Sequence, residues 1–217
     1  MVNFSPKGKK LIEMYSEMVS KGYYRGDMHL ESKDVFSDFQ SRFFRDQIKN
    51  VFKDHKIKSV LDYGCGGSNW DEKNFHQDGQ SAKEFYNLDR CFRYEPARNL
   101  DERQKVDCVL NFDVLEHIFI ADVPNVIRDI FSYAKKLVII NVACYPAAAK
   151  LPNGENAHIT VRHPHWWKAQ IDMVALDFPK ISILLLTSPA YNKPVAFPIY
   201  KAQDWADSKN FVIPDLL

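Results

Sequence analysis

Residues 60–68 read Val-Leu-Asp-Tyr-Gly-Cys-Gly-Gly-Ser, the end of an apolar run, Ile57 to Tyr63, that breaks into three glycines within four residues. Few folds accept that junction. A buried strand stops, the chain turns sharply, and Gly64 supplies a backbone conformation that other residues avoid. Gly66 lets a ligand approach the backbone with no Cβ in the way. Asp62, just before the turn, narrows the ligand. A phosphate-binding loop wants amide N–H groups and positive potential, not a carboxylate. A ligand with an ammonium and a sulfonium group welcomes one. A dinucleotide loop of the GxGxxG type is disfavoured further, because Asn69 stands at the sixth place. Glu84 to Asp89 reads as a second strand, and Asp89 follows Gly64 by 25 residues. A carboxylate at that strand end accepts the ribose hydroxyls of an adenosine. Alone, the glycines mark any strand-to-helix turn and Asp89 any cap; together they favour adenosine binding.

The rest of the chain fits an α/β sheet. Leu11, Tyr15, Met18 and Val19 recur at helical spacing until Gly22, and Phe36, Phe39, Phe43, Phe44, Ile48, Val51 and Phe52 repeat the pattern. Between them KGYYRGDMHLES reads as a loop, expected to fold over the cleft with Tyr23, Tyr24, Met28 or His29 facing it and Gly22 and Gly26 as hinges. Val106 to Phe112, Leu137 to Val142 and Ile181 to Thr187 are strand-like runs without clean alternation, as parallel strands buried on both faces require. Helices are expected after Asp122, which caps Pro124 and the Val126, Ile127, Ile130, Phe131 face, and over Pro164 to Phe178. The stretch from Trp70 to Gln80 is weakly patterned, and a third strand is not visible between Cys91 and Lys105. The reading is one domain over 1–217, with a helical cap at 1–54 and a core at 55–217.

Charge and composition exclude other classes. Lys and Arg number 29 against 28 Asp and Glu, a net charge of +1 that gives no global support for nucleic-acid binding. No apolar run approaches the ~20 residues of a membrane span. The start, MVNFSPKGKK, lacks the apolar core of a signal peptide. Cys65, Cys91, Cys108 and Cys144 form no CxxC pair, which suits a reduced, cytoplasmic protein.

The segments DYGCGGS, NLD and DCVLNFDVLEHI, in this order and spacing, resemble the cofactor motifs of class I S-adenosylmethionine-dependent methyltransferases. That resemblance implies a Rossmann-like, doubly wound sheet of seven strands in the order 3-2-1-4-5-7-6, the last antiparallel. It implies S-adenosyl-L-methionine as cofactor. Asp62, Gly64, Cys65 and Gly66 would meet its methionine part, Asp89 its ribose, and Asn111, Phe112 and Asp113 would line the floor near the methyl group. Ser68 stands where the family has its third glycine, and Cys91 or Phe92 is the candidate for packing on the adenine.

Further on, the pattern NVACYPA…LPNGENAHIT…PHWW resembles a group of bacterial and phage methyltransferases and places the acceptor beyond the fifth strand. The implied reaction is methyl transfer to oxygen or nitrogen of a small polar molecule. His158 is the candidate catalytic residue, able to take a proton near neutral pH, although a loop-ordering role fits it equally. Gly154 gives the turn, Asn153, Glu155 and Asn156 offer hydrogen bonds, and Trp166 or Trp167 would form an apolar wall. Asp113, Glu116 and His117 give DxxEH, similar to the ExxEH of metal-dependent small-RNA 2′-O-methyltransferases and ubiquinone-pathway O-methyltransferases, with His158 to complete the set. LEH after a fourth strand also occurs without metal, so the sequence leaves the metal open. A base-modifying nucleic-acid enzyme is disfavoured, since Asn111-Phe112-Asp113-Val114 replaces the (Asp/Asn/Ser)-Pro-Pro-(Tyr/Phe) motif and no Pro-Cys occurs. A non-catalytic cofactor-binding protein on the same fold stays open.

Overall fold

The computed structural model describes residues 2–36, 40–191 and 193–204. Phe39, expected on the second helix, lies outside them. The chain begins with α1 (Pro6–Lys21), whose Ser5 cap accepts the Gly8 N–H and whose Gly22 terminus takes a positive φ of 78°. β1 (Tyr23–Arg25) and β2 (Met28–Leu30) follow as a small antiparallel hairpin where a loop was expected. α2 (Arg45–Asp54) starts later than the phenylalanine pattern suggested. Phe36 sits in a turn at a φ of 50°, and Phe43 is exposed. Ile48 and Phe52 alone carry the buried face of this helix.

β3 (Ser59–Tyr63) is buried at every position. It is followed by a long irregular segment and a single helical turn, α3 (Ala82–Phe85). Here the expected strand at 84–89 fails. Ser81 and Glu84 form a reciprocal capping box, each side chain bonded to the other's backbone N–H, and this starts a helix instead. Asn87, at a φ of 54°, ends it. The strand β4 (Arg90–Glu95) therefore begins only after Asp89. β5 (Leu100–Asp101), β6 (Val106–Phe112), α4 (Val123–Tyr133), β7 (Ala134–Ala143), α5 (Pro164–Ala175), β8 (Ser182–Ala190) and β9 (Lys193–Tyr200) complete the order. No helix among the described residues is long and apolar enough to cross a membrane.

The sheet has seven strands, ordered β5-β4-β3-β6-β7-β8-β9. β4, β3, β6, β7 and β8 run parallel, and β5 and β9 are antiparallel edges. This is the expected doubly wound, Rossmann-like α/β architecture with its last strand antiparallel. Two details correct the implied strand order. The third strand is only two residues long and pairs antiparallel through a tight turn at Pro96–Arg98. At the other side the order is 6-7, not 7-6: β8 pairs directly with β7, and β9 takes the edge. Side-chain chemistry explains it. β8 buries Ile183, Leu184, Leu185 and Leu186, as an inner strand must, whereas β9 carries Pro194 and Pro198 and buries only Phe197. Proline has no N–H for a second neighbour, which confines such a strand to an edge.

Helices cover both faces. On one, α4 and α5 bury Val126, Ile130, Phe131, Trp167 and Ile171 against Val109, Val138, Ile140 and Ile183. On the other, Ile48, Phe52, Phe85 and Tyr86 pack on Val60, Leu110, Leu137 and Ile139. Asp122 stands at the start of α4 but does not cap it with its side chain. Its carboxylate accepts the backbone N–H of Ser5 at 2.9 Å and the Ser5 hydroxyl at 2.8 Å, tying α1 to the core. Trp167 is fully buried under the sheet, so Trp167→Ala should cost about 3–5 kcal/mol of stability, read as a lower urea midpoint.

Candidate functional site

A cavity of about 580 Å³ opens at the carboxyl ends of β3, β4, β6 and β7. That size suits a small-molecule site. Parallel pairing builds its floor. Tyr63 aligns with Tyr94, so Glu95 emerges beside Gly64, and Asp62 aligns with Leu110, so Phe112 and Asp113 emerge on the same edge.

The glycine turn is closed on itself. The N–H groups of Gly64 and Cys65 both donate to the Tyr94 carbonyl, at 2.7 and 3.1 Å. Gly66 N–H donates to Glu95 Oε2 at 3.0 Å, Gly67 N–H to the Phe36 carbonyl at 2.8 Å, and Ser68 N–H to the Cys65 carbonyl at 3.0 Å. No amide of 64–68 is left to hold a phosphate, which needs such donors. A Cβ on Gly66 would stand 2.5 Å from the Phe36 carbonyl oxygen, and one on Gly64 would stand 2.3 Å from Val114. Gly66 thus makes room for the Phe36 carbonyl of the N-terminal segment while also lining the cavity. The buried Asp62 carboxylate accepts the Ser68 hydroxyl at 2.8 Å and Trp70 Nε1–H at 3.0 Å through one oxygen. Burial pushes the Asp62 and Glu95 carboxyls above the usual range, and their hydrogen bonds oppose this.

Asp62, Gly64, Cys65, Gly66, Phe112, Asp113 and His158 all line the cavity. Asp89 and Asn111 do not. Asp89 is exposed at the amino end of β4, the far edge of the sheet. The carboxylate at the carboxyl end of that strand is Glu95, missed because the strand was read six residues early. The S-x-x-E of Ser81 and Glu84 was the signal that corrects it. Asn111 is fully buried beneath the floor, where its amide donates to the Tyr63 carbonyl at 2.8 Å. Cys91 and Phe92 lie on β4 away from the cavity, and Pro96 and Ala97 stand beyond Glu95 instead.

The N-terminal elements form the opposite wall. Phe4, Leu11, Ile12, Tyr15 and Met18 from around α1 face the cavity, as do Tyr23 and Arg25 of the hairpin. Strand alternation turns Tyr24 outward against His29, and Met28 is exposed, so of the four residues expected to cover the cleft only Tyr23 does so. Arg25 bridges to Ala149, joining the hairpin to the loop beyond β7. In that loop Tyr145 and Ala147 to Ala149 line the cavity, while Asn153 and Glu155 are exposed. Asn156 orders it, bonding the N–H and carbonyl of Ala147 and the N–H of His158. Neither Trp166 nor Trp167 reaches the cavity, because both belong to the α4–α5 face; Phe119 and the three alanines give the apolar wall.

A buried polar cluster faces this end. Asp113 holds a strained φ of 53°, and its carboxylate accepts Asn141 Nδ2–H at 2.6 Å. Glu116 is fully buried; Oε1 accepts the Ala143 N–H at 2.9 Å and Oε2 has no partner. Burial raises both carboxyls, and the charge of Asp113 raises Glu116 further. Tyr15 donates its hydroxyl to the Ala157 carbonyl at 2.9 Å. His117 Nδ1 lies 2.7 Å from that hydroxyl oxygen and 3.0 Å from the same carbonyl, so the network places the proton on Nδ1. His158 Nδ1 lies 2.6 Å from the Tyr145 carbonyl, which assigns it the same tautomer. Burial lowers both histidines, His117 to about 3, so both are neutral with a lone pair on Nε2. One ligand atom each from Glu116, His117 and His158 lies within 4.8 Å of the others.

A seven-stranded, doubly wound sheet with a closed glycine turn and a carboxylate-lined cavity at its carboxyl edge is the architecture of Rossmann-like methyltransferases. Residues 36–171 match a family described as a methyltransferase domain, and the chain belongs to that family. No curated protein and no solved structure matches it significantly.

Proposed function

We propose that this protein transfers a methyl group from S-adenosyl-L-methionine to oxygen or nitrogen of a small acceptor, with residues 1–54 closing over the core at 55–217. The observation that carries this reading is the glycine turn itself. Its amides are all internally bonded, and the ionisable side chains that line the cavity beside it are the carboxylates Asp62 and Glu95, while Arg93 and Arg98 are bonded to the carbonyls of Ser68 and Val35. Such a site rejects the pyrophosphate of a dinucleotide and suits an adenosine joined to a cationic amino acid. Asp62 and the 64–66 turn would hold the methionine part, Glu95 the ribose, and Phe112 and Asp113 the floor. When bound, the cofactor supplies a methyl group already activated on a sulfonium.

The chain's own task is then to position the acceptor. His158 stands at the other end of the same cavity, with its ring fixed by Tyr145 and its backbone by Asn156. It is the residue proposed to activate the acceptor. The walls around it are largely apolar, from Leu11, Met18, Phe36, Phe119 and Ala147 to Ala149. An acceptor with one reacting polar group and an apolar body fits these walls better than a uniformly polar molecule. A space walled by α1 and the hairpin also suits a small molecule better than a nucleic acid, and a location in the cytoplasm agrees with the unpaired cysteines.

Calorimetry should show S-adenosylhomocysteine binding more tightly than NAD; the opposite order would overturn the cofactor assignment. Glu95→Ala should weaken S-adenosylhomocysteine by about 10- to 100-fold, the worth of hydrogen bonds to a charged group. Asp89→Ala should leave that affinity unchanged, and an effect of Asp89 equal to that of Glu95 would restore the reading from sequence. His158→Ala should keep cofactor affinity and lower turnover by roughly 10²–10⁴-fold. Full turnover in that variant, on an acceptor found by metabolite screening, would reduce the loop to a structural role.

A further inference from the structure

Glu116 is an odd residue to bury without a cation. It has no exposure, one oxygen is bonded to Ala143, and the other has no partner. An unmatched buried carboxylate oxygen costs free energy, so such a group is ordinarily paired or bound to a metal. The imidazoles of His117 and His158 each offer a ligand atom within 4.8 Å of one of its oxygens, and their rings meet edge to face at 4.8 Å between centroids.

Each of the three has its second atom fixed. Glu116 Oε1 is held by the Ala143 N–H, His117 Nδ1 by the Ala157 carbonyl and Tyr15, and His158 Nδ1 by the Tyr145 carbonyl. A ring N–H donated to a carbonyl fixes a histidine's tautomer and leaves its other nitrogen free to ligate a metal. We infer that Glu116, His117 and His158 bind one divalent transition-metal ion.

Two imidazoles with a carboxylate favour a borderline ion such as zinc, nickel or iron(II) over magnesium or calcium, which prefer oxygen throughout. Bonds of about 2.1 Å require ligand atoms about 3.0–3.4 Å apart, so a pair at the full 4.8 Å spread must draw together by about 1.4–1.8 Å. Such an ion would supply Lewis acidity to an acceptor oxygen. The metal site stands on its own geometry, and only this role rests on the methyl-transfer reading.

The test is a Co²⁺ titration of the chelator-treated protein, followed by visible d–d absorption and by metal analysis after dialysis. The wild type should bind one ion per chain. Glu116→Gln and His158→Ala should each lower the affinity at least about 100-fold. His165→Ala should leave it unchanged, since His163 and His165 form an exposed pair with nitrogens 3.3 Å apart that would otherwise be the adventitious site. Where Glu116→Gln fails to fold, His158→Ala carries the test. Absence of stoichiometric binding, or equal affinity in His158→Ala, overturns the inference. S-adenosylhomocysteine calorimetry on the same metal-free protein separates the two readings: retained binding with no metal site leaves the cofactor assignment intact, and lost binding with a metal site overturns that assignment alone.

Discussion

Every loop of the cavity hangs from the parallel pairing of β3 with β4 and β6. β3 is buried at all its positions between these neighbours, so a slip in register would carry its side chains to the wrong face. Parallel strands end together, which brings Gly64, Glu95 and Asp113 to one edge although they are far apart in the chain. The buried Asp62 carboxylate then fixes the path of the chain after β3. By accepting both Ser68 and Trp70 it folds the irregular 64–81 segment back onto the strand, where a regular helix would normally stand.

The N-terminal residues supply one wall of the cavity. Among the contacts that join them to the core are Ser5 to Asp122, Gly67 to the Phe36 carbonyl, and Tyr15 to His117 and Ala157. The last links α1 to the loop that carries His158. The helix whose Tyr15 contacts His117 also walls the cavity, so the polar cluster and the cavity wall share one packed interface.

Strong, continuous patterns were legible along the chain. The apolar runs of β3, β6, β7 and β8 and the faces of α1, α4 and α5 stand where periodicity placed them. Failures came where a local polar signal overrode the apolar one. Phe85, Tyr86 and Leu88 resemble a strand, yet the Ser81–Glu84 capping box turns that stretch into a helix and moves the second strand, exchanging Asp89 for Glu95 at the cavity. Pro194 and Pro198 set the edge order of β8 and β9, a signal present in the sequence but outweighed by the family resemblance.

The sequence by itself determined the fold class, the glycine turn, and the acidic character of the site, because these depend on residue type and short-range spacing. It also named Asp113, Glu116, His117 and His158 as a candidate set. Only the tertiary structure decided which of these converge and what each atom is free to do. Convergence of Glu116 and His158 depends on the path of the chain beyond β7, and the tautomers depend on carbonyls of Ala157 and Tyr145 that no local pattern identifies. The apolar walls were likewise decided by packing, since α1 and the 147–149 segment meet across the cavity only once the chain has closed.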